Sequence, residues 1–150
     1  MATYTLETYR TKFEVAEHAR ADYRFNSAED VARIARALYA SELDADRESF
    51  VVFCLNQKNR INGYKVISTG SLTASLCHPR EVYRSALTLC AAALVFVHNH
   101  PSGEPEPSPE DIDITKRLKQ VGEIMGIKVL DHVILGESGR FYSFSDRGML

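Results

Sequence analysis

The spacing of apolar positions divides the chain into helices and strands in the order helix, two strands, helix, strand, helix, two strands. Residues 1–25 are polar and weakly patterned, with "TYTLETY" alternating like an edge strand, and form an N-terminal arm. In "SAEDVARIARALYA", Val31, Ile34, Ala35, Leu38 and Tyr39 fall on one helical stripe, and Ser27 stands three residues before Asp30 at capping-box spacing. "ESFVVFCLN" and "INGYKVIST" are rich in β-branched and aromatic residues and are separated by "QKNR", which predicts adjacent antiparallel strands. "HPREVYRSALTLCAAA" carries Val82, Ala86, Leu89 and Ala93 at helical spacing after a proline suited to a helix start.

The next run, "ALVFVHNH", is nearly continuous in apolar residues, as expected of a strand buried on both faces. A proline-rich loop, "PSGEPEP", follows. Ser108 as N-cap, Pro109 at the first helical position and acidic residues in the first turn then open a helix whose buried stripe is Ile114, Leu118, Val121 and Met125. "IKVLDHVIL" predicts a buried strand, "GESGR" a turn and "FYSFS" a last short strand. Alternating helices and strands over residues 26–150 predict one α/β domain.

Composition narrows the function. A hydrophobic fraction of 45% and a charged fraction of 25% fit a globular chain that buries its own core. The net charge of −2 supplies no drive toward phosphate backbones, and the local patch of Lys116, Arg117 and Lys119 fits a solvated helix face. Cys54, Cys77 and Cys90 are odd in number and lack C-x-x-C pairing, which excludes a disulfide framework or zinc knuckle and suggests buried thiols in a reducing compartment. With no apolar h-region at the start and no apolar run of about 18 residues, a cytoplasmic location is expected.

The chemistry concentrates where the central strand ends. Residues i and i+2 of a strand share a side, so His98 and His100 project together while Asn99 faces away. Ten residues separate His100 from Asp111, which falls in the first turn of the following helix. Two imidazole nitrogens and one carboxylate match the three protein ligands of a catalytic zinc, which lowers the pKa of a bound water toward about 7. H-x-H alone also fits a pair of surface histidines with Asp111 merely capping its helix. The gap, the Ser108 cap and the strand-loop-helix setting together favour the metal site. Asp131 and His132 point to opposite faces of their strand, giving at least one a structural role, with a contact that orients a metal ligand as the sharper alternative. His78 fits a helix cap and His18 a solvated position.

"HNHPSGEPEPSPED" resembles the metal-binding motif of the JAMM/MPN metalloproteases, H-x-H-P followed by a serine and, three residues later, an aspartate. It is more specifically similar to the RadC family of bacterial proteins, which have Asn between the histidines and Ser-Gly after the proline. "GSL" at Gly70, "HPREVYRSAL", "DHVILG" and "FYSFSDRG" extend the resemblance over residues 26–150. It implies a three-layer α-β-α fold of the JAMM/MPN, cytidine-deaminase-like type with a curved mixed sheet. It implies zinc held by His98, His100 and Asp111, Glu48 as general base and then acid, and Ser108 beside the attacking water and the oxyanion. Many relatives have a glutamate just before the strand "VISTG", where this chain has Lys65, and longer RadC proteins carry a helix-hairpin-helix region that residues 1–25 do not resemble.

The expected function is therefore a zinc-dependent peptidase or isopeptidase acting on a peptide or protein substrate. The alternatives are a DNA repair or recombination accessory protein working through partners, and a metal-free MPN-type interaction module. Direct nucleic-acid binding is not favoured by the charge balance, and the alternating arm suggests a homo-oligomer built by strand addition. A nucleobase deaminase is excluded by the missing H-x-E and P-C-x-x-C signature.

Overall fold

The computed structural model describes residues 23–70 and 77–150. Helix α1 (Ala28–Glu42) is followed by β1 (Ser49–Leu55), β2 (Ile61–Thr69), α2 (Pro79–Thr88), β3 (Ala93–Asn99), α3 (Pro109–Met125), β4 (Lys128–Leu135) and β5 (Phe141–Ser143). The five strands form one open sheet in the order β2-β1-β3-β4-β5. Among the described strands only the β3–β4 pair is parallel, so the sheet is mixed.

Period-two alternation sorts each central strand between two helical layers. Val51, Phe53, Leu55, Val95, Val97 and Val133 pack toward α1, whose Val31, Ala35 and Tyr39 cover them. Phe50, Val52, Cys54, Leu94 and Phe96 face the other way, against Val82, Tyr83 and Ala86 of α2 and Ile114 and Leu118 of α3. The result is the expected α-β-α sandwich with β3 in the middle, all seven of its residues buried. Because β3 is buried on both faces, its C-terminal end is a fixed platform for whatever its last residues carry.

Local chemistry sets the helix ends. Ser27 accepts a hydrogen bond from the Asp30 N–H, but the Asp30 carboxylate takes its return bond from Asn26 rather than Ser27, so the predicted capping box is half formed. Helix α2 stops at Thr88, two residues before Cys90 at φ 50°, and Ala93, expected on the helical stripe, instead opens β3. The alanine run carried no polar position to mark the change of period. In α3, Ile114 and Leu118 are buried as expected, whereas Met125 is 41% exposed at the helix end.

Residues 23–25 complete the sheet edge: Arg24 bridges Arg60 and Phe25 packs against Phe53. The rest of the arm and its edge-strand segment, His18, and Ser71 and Leu72 of "GSL" lie outside the described residues. Among the described residues, no helix is long and apolar enough to cross a membrane.

Gly122, late in α3, lets the helix approach the start of β4 closely. A Cβ there would sit 2.5 Å from the Ile127 carbonyl oxygen and 2.7 Å from the Tyr83 hydroxyl, which is itself donated to Leu118 O. Helix propensity alone makes Gly122→Ala stabilising by about 1 kcal/mol. The steric clash reverses the sign, and urea unfolding of Gly122→Ala is expected to show a net loss of about 1–3 kcal/mol. A gain would mean that α3 is not packed this tightly on β4.

Candidate metal centre

The end of β3 presents His98 and His100 on one side, with their Nε2 atoms 2.9 Å apart. His98 is completely buried, and His100 opens toward solvent. The Asp111 carboxylate, also buried, comes in from the first turn of α3. Its Oδ1 lies 3.2 Å from His98 Nε2 and its Oδ2 lies 3.3 Å from His100 Nε2. A full capping box orients it: the Ser108 N–H donates to Oδ2 at 2.7 Å, and the Asp111 N–H donates to Ser108 Oγ at 3.1 Å. Glu48, just ahead of β1, completes the group with Oε1 at 3.7 Å from both Nε2 atoms. One donor atom from each of the four residues lies within 4.8 Å of the others.

Protonation follows from the partners. His100 Nδ1 lies 2.7 Å from the Glu104 carbonyl oxygen, which can only accept, so Nδ1 carries the hydrogen and Nε2 of the neutral ring keeps its lone pair. Burial pushes the Asp111 carboxyl up. The close approach of the His100 and His98 rings and the hydrogen bond from the Ser108 N–H outweigh it and hold the carboxyl far below its ordinary range. The Asp111 carboxylate, by favouring a protonated ring beside it, in turn raises His100 against the opposing effect of burial.

This donor set fits a divalent metal ion. Bonds of about 2.0–2.1 Å at tetrahedral angles separate neighbouring donors by about 3.3 Å, close to the 2.9–3.3 Å observed among His98, His100 and Asp111. Two ring nitrogens this close, beside an ionised carboxylate, require a cation or a shared proton between them.

The surrounding loops are anchored rather than loose. Gly103, at φ +85°, packs so closely against Glu137 that a Cβ would lie 2.5 Å from its Cδ. Arg140 donates to both Glu104 carboxylate oxygens and to Gly103 O, which ties the loop carrying the His100 partner to the β4–β5 turn. Asn99 faces away from the histidines, as expected, and secures the segment before β1. Its Oδ1 accepts from the Ser49 N–H at 2.9 Å, and its Nδ2 donates to Arg47 O at 3.0 Å and Ala45 O at 3.4 Å. Glu48 is thus bracketed by bonds to the residues on either side of it, while the Gly70 N–H donates to its own carbonyl.

A cleft of about 330 Å³ opens over the group, lined by Glu48, His100, Pro101, Ser102, Ser108, Glu110 and Asp111. Glu48 and Ser108 therefore both face the space above the histidines. Lys65 does not line it: it pairs with Val52, three positions along β1 from Ser49. Asp131 is structural, its carboxylate accepting from the Ser143 hydroxyl and from the N–H groups of His132 and Ser145. His78 caps α2 by accepting from the Arg80 N–H.

His132 lies directly behind His98, with Nε2 2.8 Å from His98 Nδ1. Its ring packs among Phe50, Phe96 and Phe144, and burial in that apolar setting drives its pKa well below the ordinary histidine value. Thr115, which the sequence did not single out, touches the other side of His132 at 2.5 Å. The available signal was its position one helical turn after Asp111. Its pairing with a residue 17 positions later was not legible.

The family model described as a RadC-like JAB domain matches residues 25–149. A UPF0758 protein of Syntrophotalea carbinolica is 54% identical over 107 residues, 71% of this chain and 47% of the relative. One of Geotalea uraniireducens is 44% identical over 146 residues, 97% of this chain and 55% of the relative. A third, from Methanosarcina barkeri, is 46% identical over 113 residues, 75% and 49% of the two chains. The chain spans about half the length of these relatives.

Asn99→Ala removes both sides of the bracket around Glu48 while leaving the metal-facing atoms in place. With about 1.4 kcal/mol of local stabilisation lost, amide exchange at Ser49 should accelerate about tenfold. Exchange at Ser49 unchanged from wild type would show that Asn99 does not hold this segment.

Proposed function

The chain belongs to the RadC-like JAB domain family, and on that premise we propose that it is a zinc-dependent hydrolase of peptide or isopeptide bonds. The observation that carries this reading is the convergence of His98, His100 and Asp111 with Glu48 beneath an open cleft. Two nitrogens and one carboxylate make a ligand set that suits zinc and leaves a coordination position for a reactant. A zinc ion held there would supply Lewis acidity, polarising a scissile carbonyl and activating water at neutral pH.

The remaining work falls to the chain's own side chains. Glu48 is too far from the ring nitrogens to be hydrogen-bonded to them, and at 3.7 Å it is near enough to reach a group seated between them and the cleft. Its carboxylate takes a proton from the attacking water and returns it to the departing amine, so hydrolysis yields an acid and an amine with the proton conserved. The Ser108 oxygen already accepts from the Asp111 N–H. Its own hydrogen is left to donate, and a developing oxyanion in the cleft is the acceptor that fits.

The sequence and structure support a protein or peptide substrate because the cleft is open and borders a loop and a helix end rather than a closed small-molecule pocket. Three free thiols, Cys54 and Cys77 buried as expected but Cys90 exposed just past the end of α2, support a reducing, cytoplasmic setting. The DNA-repair and interaction-module readings make no use of the intact donor set, which favours hydrolysis over both.

Glu48→Gln preserves shape and removes the base. On the fastest-cleaved member of a peptide and isopeptide panel, the variant should retain its zinc and lose about 100- to 10,000-fold in kcat. Wild-type turnover by Glu48→Gln would remove Glu48 from the mechanism.

A further inference from the structure

Behind the proposed ligands runs a chain of hydrogen bonds that returns from one ligand to another. The Thr115 hydroxyl lies 2.5 Å from the Asp111 carbonyl oxygen and 2.5 Å from His132 Nδ1. His132 Nε2 lies 2.8 Å from His98 Nδ1, and His98 Nε2 faces Asp111 Oδ1 at 3.2 Å. Thr115 and His132 are both buried, with 1% and 0% of their surface exposed. Water therefore cannot rearrange these bonds.

The direction of every hydrogen in the chain is fixed by one group that cannot donate. The Asp111 carbonyl oxygen only accepts, so the single Thr115 hydroxyl hydrogen is directed to it. Thr115 Oγ1 can then serve His132 only as an acceptor, which places the His132 hydrogen on Nδ1. His132 is fully buried among aromatic rings, and the partners of its ring nitrogens are a hydroxyl and another imidazole rather than a carboxylate. A neutral ring in that setting has a bare Nε2. That nitrogen can only accept, so His98 must carry its hydrogen on Nδ1.

We propose that Thr115 and His132 are positioning residues that hold the hydrogen of His98 on Nδ1, so that Nε2 is the nitrogen offered to the metal site. His100 is locked in the same tautomer by the Glu104 carbonyl oxygen alone. The two histidines thus reach one protonation pattern by different routes, one through a loop carbonyl and one through a buried relay that begins on the backbone of the third ligand. The relay also couples the ligands: a shift of the first turn of α3 moves the Asp111 carbonyl, and with it the acceptor on which the His98 tautomer depends.

That His98 is a ligand rests on the metal-dependent reading above, but the tautomer itself is measured without metal. The test compares Thr115→Val, which removes the hydroxyl at nearly constant volume, with Thr115→Ser, which keeps it. Nitrogen-15 spectra of the imidazoles in metal-free protein should show His98 protonated on Nδ1 in wild type and in Thr115→Ser. In Thr115→Val the His132 hydrogen moves to Nε2, and His98 should become protonated on Nε2. Zinc affinity, measured against a chelating dye, should fall by about 10- to 100-fold in Thr115→Val and recover in Thr115→Ser. An Nδ1–H His98 persisting in Thr115→Val with unaltered zinc affinity would overturn the relay, as would a wild-type His98 with no hydrogen on Nδ1. If wild type bound no zinc yet lost its Nδ1–H tautomer in Thr115→Val, the metal reading would fail and the relay would stand.

Discussion

The Asp111 carboxylate joins helix α3 to the end of β3, and the arrangement of the site depends on that contact. A carboxylate at the third helical position normally has one task, accepting from the N-cap N–H. Here its two oxygens also face the Nε2 atoms of His98 and His100. Helix capping thus fixes a group of the candidate metal centre to within the tolerance of a hydrogen bond, and the proline-rich loop must close back over the strand for the helix to begin where it does. The loop that carries His100 is held in turn by Arg140 and by the Gly103–Glu137 approach.

Around this contact the sheet supplies rigidity and the helices supply alignment. β3 is buried on both faces, so the two imidazoles project from the end of a fully packed central strand. Asn99, on the opposite side of the same strand, reaches the segment before β1 and brackets Glu48. One short stretch of β3 therefore positions a proposed ligand with each histidine and the proposed base with the asparagine between them. Strand alternation alone separates these duties.

Much of this was legible in the chain. The order of elements, the buried central strand, the Ser108 cap and the common side of His98 and His100 follow from local rules of periodicity and capping. Ala93 and Met125 were misplaced because an alanine run and a helix end carry no strong polar contrast, so pattern could not say where one element yields to the next. The half-formed box at Ser27 shows that spacing permits a reciprocal bond without enforcing it. Thr115 and the exact partner of Asn99 escaped because their contacts span sequence-distant elements and depend on how α3 and the α1–β1 segment pack on the sheet. His132 lay between these cases: its face was readable, but its partner was not.

The central claim is that His98, His100 and Asp111 hold one metal ion together, and metal content by mass spectrometry tests it most directly. Untagged protein purified without chelator, alongside His100→Ala and Asp111→Ala, gives the comparison. The account predicts about one zinc per chain in wild type and its loss in both variants, with the fold retained. Wild-type protein that takes up no metal even after zinc reconstitution, or variants that keep it in full, would contradict the account.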